Sequence, residues 1–140
     1  NWKAIVLGIL SGVLASLGSI LGMAVLFGMS HEEYVTFLPK SITTAIGMGV
    51  SEKLGGFVPI SVAAIIITGV LGNIFAELIF RIFRIREPIA RGIALGTASH
   101  AIGTAKAMEL GEVEGAMSSL SIVVAGLVTV GGASVFSLIR

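Results

Sequence analysis

The chain has 140 residues, 55% of them hydrophobic and only 12% charged, with a mean hydropathy of +1.04. A soluble domain usually carries about 25% charged residues, so a water-facing fold is excluded and an all-α integral membrane protein is expected. A net charge of +1 gives no basic field for nucleic acid, and a chain without cysteine and with two distant histidines offers neither a disulfide nor a metal centre.

Asn1-Trp2-Lys3 opens the chain without Met, as in a processed or truncated piece of a longer protein. Ala4 to Met29 is uncharged and too long for the apolar core of a signal peptide. About 20 apolar residues rising 1.5 Å each cover a hydrocarbon core of about 30 Å, so this run is the first predicted spanning helix. Within it, Gly8-xxx-Gly12 and Gly18-xxx-Gly22 form small-residue faces suited to close helix packing. Ser30-His31-Glu32-Glu33 fits a capping box opening a short interfacial helix.

Phe37 to Gly56 reads FLPKSITTAIGMGVSEKLGG. It is too apolar for a solvated loop and too rich in Gly, Ser and Thr for a lipid-facing helix. Such backbone survives at membrane depth only when buried in protein or lining a water-filled cavity. The segment is therefore predicted as a discontinuous or re-entrant helix, with an ordinary helix inside the bundle as the alternative. Phe57 to Ala76, continuing past Glu77 to Phe80, is the second predicted span. Asn73 and Glu77 lie one turn apart on it and are candidates to face a cavity. Glu77, near the level of Arg81, reads better as half of a structural ion pair.

Pro88 to Gly111 reads PIARGIALGTASHAIGTAKAMELG and has the same mixed character as the first broken segment. Gly115 to Ile139 is the third predicted span, ending at Arg140. Glu32, Glu33, Glu112 and Glu114 fall at predicted membrane edges, where solvated flanks are expected.

A shift of 56 positions sets Ala45-Ile46-Gly47 over Ala101-Ile102-Gly103 and Leu54-Gly55 over Leu110-Gly111, with Thr43-Thr44 over Ser99-His100. The same shift lays the first span over the second. Units 4–56 and 60–112 are thus a candidate repeat of one span followed by one broken segment. Lys and Arg concentrate on cytoplasmic flanks. Arg81, Arg84, Arg86 and Arg91 accordingly place their loop inside, as does Lys3, while Ser30–Thr36 has neither Lys nor Arg and fits outside. Those placements make the broken segments re-enter from opposite sides, an inverted repeat of the kind found in transporters. Arg140 then falls outside, against the rule. If both broken segments cross fully, the repeat becomes parallel instead.

No nucleotide-binding, nucleophile-elbow or zinc-protease motif occurs, and no enzyme activity or cofactor is expected. The polar groups at depth are more informative. His100 sits among Thr97, Ser99 and Thr104, and an ionisable residue inside the membrane is a functional candidate because its charge is costly there. The structural alternative is a neutral imidazole donating one N–H to a nearby carbonyl. Lys40, beside Ser41, Thr43 and Thr44, can pair with a carboxylate substrate or snorkel to the interface. Lys106 is placed similarly on the second segment. Hydroxyls and backbone N–H groups of two half-helices, helped by one or two cations, suit a small anion. The candidate substrate-binding residues are Lys40, Ser41, Thr43, Thr44, Thr97, Ser99, His100 and Thr104.

Several stretches resemble the LrgB/CidB family: Pro39–Thr44, Ser51–Gly56, Thr68–Gly72, Arg84–Gly92, and above all Gly96-Thr97-Ala98-Ser99-His100-Ala101-Ile102-Gly103-Thr104-Ala105. Glu112–Ala116 and Ser118-Ser119-Leu120 continue the likeness, which covers essentially the whole chain. The resemblance implies a multi-pass protein of the bacterial cytoplasmic membrane, and a longer one with further N-terminal helices. It also implies two functional stories. One is antiholin-like control of murein hydrolases and autolysis together with a small LrgA/CidA-like membrane partner. The other is transport of small monocarboxylates, of the glycolate or glycerate class by likeness to plastid relatives and of the pyruvate class by likeness to bacterial ones. A homo-oligomer is compatible with either. The family usually has Pro after the Thr pair, where this chain has Ala45, so a softer first break is expected. The polar groups gathered in two broken segments favour transport.

Overall fold

A computed structural model describes residues 1–140. It is all-helical: α1 (Trp2–Phe27), α2 (His31–Phe37), α3 (Thr44–Leu54), α4 (Val58–Ile82), α5 (Pro88–Leu110) and α6 (Glu112–Phe136). Helices α1, α4 and α6 have 26, 25 and 25 residues and are long and apolar enough to cross a membrane. Large apolar side chains such as Leu7, Leu14, Val25, Ile67, Ile74, Val123 and Leu127 are left exposed along them. Around a protein in water that surface would be an aggregation liability; around a membrane span it is the lipid-facing side.

Local chemistry ends each element where expected. Gly28, at φ 62°, closes α1 with its N–H on the Ala24 carbonyl. Ser30 then starts α2 with a complete capping box, the Ser30 hydroxyl accepting from Glu33 N–H at 3.2 Å and Glu33 Oε2 accepting from Ser30 N–H at 2.8 Å. Pro59 sits in the first turn of α4 and Pro88 opens α5, positions where a missing N–H costs nothing. Glu114, expected as a solvated flank, is instead only 7% exposed and folds over Gly111 in the first turn of α6, where a carboxylate offsets the unpaired N–H groups.

The helix α5 is broken at His100, whose φ of 42° and ψ of −134° lie outside any helical region. Contacts show that the chain reverses there. Cβ atoms on Gly92 and Gly96 would lie 2.5 Å from the carbonyl oxygens of Glu114 and Ser118, so the arm before the break runs parallel to α6. Thr104 hydrogen-bonds Ser118 at 2.7 Å and Met108 lies against Gly115, so the arm after the break runs antiparallel to α6. Gly103 meets the Leu95 carbonyl between the arms. Pro88 and Leu110 therefore return to one end of the bundle, and the segment is a re-entrant hairpin.

The first broken segment does the same from the other end. The seven-residue α2 stays at the entry end, the stretch Leu38 to Thr43 is the entering limb, and α3 is the returning one. The Ser61 hydroxyl donates to the Thr36 carbonyl at 2.6 Å and lies 2.7 Å from the Ser51 hydroxyl, while Gly47 packs on Ile65. Hence α3 is antiparallel to α4, and the C-terminal end of α2 abuts the start of α4. Phe57 N–H bonds the Thr36 hydroxyl at 2.8 Å, bringing the chain back to the end where it entered. Arg140 joins that end, donating to the Met29 carbonyl at 2.8 Å while its own carbonyl lies 2.6 Å from His31 Nδ1.

The main core threads the middle. Ile9, Val13, Leu17, Ile20 and Ala24 form one stripe of α1 and pack with Tyr34, Val35, Leu38, Ile42 and Val50 of the first hairpin, Ile93 of α5, and Ala125 and Ala133 of α6. A smaller cluster of Ala76, Phe80, Leu95 and Ala107 holds the second hairpin on α4. Of the two small-residue faces of α1, one packs and one does not. Gly8 and Gly12 receive Ile93 and Thr97 of α5, whereas nothing lies within 4 Å of a Cβ at Gly18 or Gly22.

Candidate functional site

The hairpin tips meet at mid-depth, beside the middles of α1 and α4, around a cavity of about 1030 Å³. One face of α1 supplies its first wall: Gly8, Ser11, Gly12, Ala15, Ser16 and Ser19 recur at helical spacing. Lys40 and Ser41 come from the first tip, Thr97 and Ser99 from the second, and Thr68 and Gly72 from α4. At its far end the cavity reaches Asn1 and Glu87.

Lys40 is half-buried. Its ammonium donates to the Ser41 hydroxyl at 2.8 Å and more weakly to the Ser16 hydroxyl at 3.4 Å, and Ser16 donates to Ser41 at 3.0 Å. No carboxylate lies within ion-pair distance, since both ion pairs in the structure belong to Lys106. The ammonium is met only by neutral hydroxyls and has no counter-charge within reach, which leaves it open to pairing with an anion.

Ser99 is 2% exposed and rests against Gly72, where a side chain larger than hydrogen would displace it. Thr97 is held by its own helix, its hydroxyl donating to the Ile93 carbonyl at 2.8 Å. His100 takes the structural role. It is 3% exposed, and Nε2 donates to the Ile65 carbonyl of α4 at 2.8 Å, a partner that fixes a proton on that nitrogen. Its ring fills the space beside Gly69, which has no Cβ to obstruct it. The Thr104 hydroxyl donates to the His100 carbonyl at 2.9 Å, leaving Ser118 as donor to Thr104. Both residues thus stabilise the break from behind.

Of the eight candidate residues, Lys40, Ser41, Thr97 and Ser99 share the cavity, and Thr43, Thr44, His100 and Thr104 do not line it. Thr43 and Thr44 instead start α3. Asn73, read as a cavity candidate, is not among the lining residues and donates to the Ile102 carbonyl at 3.1 Å. Glu77 pairs with Lys106 at 2.6 Å rather than with Arg81. Lys106 also reaches Glu109 at 3.5 Å, so its charge is spent where that of Lys40 is not. The serines of α1 and Thr68 of α4 were missed. Their signal was present: Ser11, Ser16 and Ser19 lie on the same face as the small residues Gly8, Gly12 and Ala15.

Three apolar spans around two oppositely directed hairpins, with a mainly apolar cavity between them that carries a few hydroxyls and one ammonium, define a helical membrane protein with a central cavity. The LrgB-like family model matches residues 1–139, and the chain belongs to that family. Among curated relatives, a holin-like protein CidB of Staphylococcus epidermidis is 40% identical over 121 residues, covering 86% of this chain and 53% of the relative. An antiholin-like protein LrgB of Bacillus mycoides and another of Bacillus cereus are each 39% identical over 129 residues, covering 92% of this chain and 56% of theirs. The chain spans about half the length of the curated relatives it matches. No solved structure matches it.

Proposed function

We propose that this chain forms the substrate-binding part of a carrier for small monocarboxylates, of the glycolate, glycerate or pyruvate class, in the bacterial cytoplasmic membrane. Lys40 supplies the attracting charge, and Ser16, Ser41, Thr97 and Ser99 supply neutral donors that orient a carboxylate without trapping it. His100, Thr104, Thr43 and Thr44 act as positioning residues for the two tips. The observation that carries the proposal is the unpaired Lys40 ammonium in a cavity shared by two hairpins that enter from opposite ends. Units 4–56 and 60–112 are then an inverted repeat, and alternating access follows from rocking one unit against the other around a fixed midplane site. No covalent step is involved.

Uptake of labelled glycolate and pyruvate into proteoliposomes tests this. Wild-type protein is expected to accumulate one of them, and Lys40→Met to lose that uptake while keeping its fold. Uptake unchanged in Lys40→Met would remove the site assignment.

A second reading follows from the relatives' names, holin-like and antiholin-like. In it the chain regulates a small LrgA/CidA-like membrane protein and thereby murein hydrolase activity and autolysis, without moving solute itself. Protein that transports nothing alone but co-purifies with that partner and changes its pore would favour it. The readings join if autolysis responds to carboxylate flux.

A further inference from the structure

At the end of the bundle where α5 begins, Arg81, Arg84, Arg86 and Arg91 line a second, separate pocket of about 290 Å³ together with Glu77, Phe80 and Leu110. Its only carboxylate, Glu77, is already held by Lys106 at 2.6 Å. Lys106 and Glu109 form the rest of that ion-pair group, and Glu87, the next acid along the chain, lines the central cavity instead. Arg91 is fixed: its Nε donates to the Ile85 carbonyl at 2.8 Å and its guanidinium stacks 5.6 Å from the centre of the Phe80 ring. Arg81, Arg84 and Arg86 are exposed and make no ion pair.

Carbonyls at the C-terminus of α4 attract cations, which accounts for Arg81. They do not account for Arg84. Ile85 N–H reaches back to the Phe80 carbonyl at 2.8 Å and Arg84 N–H to that of Arg81 at 3.3 Å, closing α4 with Arg84 at φ 54°. That is the left-handed position of a helix-ending turn, where glycine is strongly favoured. A strained backbone here projects a guanidinium into a pocket that already has three. The exposed surface leading away from the pocket along α4 is apolar: Phe75, Leu78, Ile82 and Phe83. A ligand with an anionic head and apolar tails satisfies both surfaces, whereas free phosphate leaves the second unused.

We propose that the pocket formed by Arg81, Arg84, Arg86 and Arg91 binds the phosphodiester headgroup of an acidic phospholipid, whose acyl chains lie along α4. Forked guanidinium donors match the paired oxygens of a phosphodiester, and basic pockets beside spanning helices are suited to such headgroups.

Thermal unfolding of the purified protein in neutral detergent tests this, with phosphatidylglycerol, phosphatidylcholine of the same chains, or inorganic phosphate added. Phosphatidylglycerol is expected to raise the Tm by roughly 5 °C or more near saturation, and the other two by much less. Arg84→Gly keeps the turn and relieves its strain, so it should hold or raise the Tm without lipid yet weaken the phosphatidylglycerol response. Arg84→Gly combined with Arg86→Gln should remove most of it. Equal shifts from the two lipids, an undiminished response in the double variant, or the full shift from inorganic phosphate would each overturn the proposal. Should the double variant fail to fold, the lipid comparison on wild-type protein decides alone.

Discussion

The first hairpin enters over six residues, Leu38 to Thr43, and presents a lysine to open space with only serine hydroxyls around it. The second turns at a single residue, His100, whose ring is tied to α4 and whose carbonyl is capped by Thr104. Glycines let its first arm lie directly on the backbone of α6. Equivalent topology thus serves different ends. One tip brings the charge and the other brings a rigid wall. In the proposed carrier both are needed, because a lone ammonium without fixed donors opposite it gives attraction but little selectivity.

The sharpest way to break the comparison is to separate the second hairpin from α6. Gly96→Val places a side chain against the Ser118 backbone, which cannot move aside as a flexible side chain would. We expect a loss of about 3 kcal/mol or more, seen as aggregation on size-exclusion in detergent. Gly18→Val and Gly22→Val, on the open face of α1, should change the Tm little, and equal damage from them would remove the packing explanation.

Next in size is Lys40→Met. A hydrogen bond to a charged group is worth about 1.5–3 kcal/mol, so carboxylate uptake should fall roughly 10- to 100-fold with the Tm nearly unchanged. Lys106→Met, by contrast, should cost stability and leave substrate affinity alone.

His100 separates tie from strain. His100→Ala loses the bond to Ile65 and keeps an unfavourable φ, at about 1–2 kcal/mol in denaturation. His100→Gly loses the same bond but relieves the backbone, so it should be the more stable of the two by about 1 kcal/mol. The reverse order would show that the side chain's packing, not the turn, controls the break. The smallest effect is Ser30→Ala, which removes half a capping box and should cost about 1 kcal/mol of helix stability. It should be silent in uptake.

Much of this architecture could be read before any coordinates. Blocks of apolar residues marked the three spans, and small polar residues among them marked backbone that lipid could not cover. The site was read less completely, for identifiable reasons. The broken segments drew attention to Thr43, Thr44 and His100, but whether a side chain at a tip faces the cavity or the helix behind it depends on the direction of the turn. Ser11, Ser16 and Ser19 sat within an uncharged span and passed as lipid-compatible residues beside glycines. Glu77 had Arg81 one turn away in sequence, yet folding α5 back on itself carried Lys106 to it from 29 residues further on. That pairing exists only because the hairpin does.

The register of the hairpins against the spans also sets an order of assembly. Each hairpin is covered by the helix that follows it in the chain: α2 and α3 by Ser61 and Ile65 of α4, the arms of α5 by Ser118 and its neighbours in α6. A growing chain therefore exposes a polar hairpin before its cover has been made. At about 5–20 residues per second, the 25 residues of α6 take roughly 1–5 s to synthesise. During that interval Gly92, Gly96 and Thr104 lack the cover that α6 gives them, and the insertion machinery must shelter that side of the hairpin from lipid until translation delivers it.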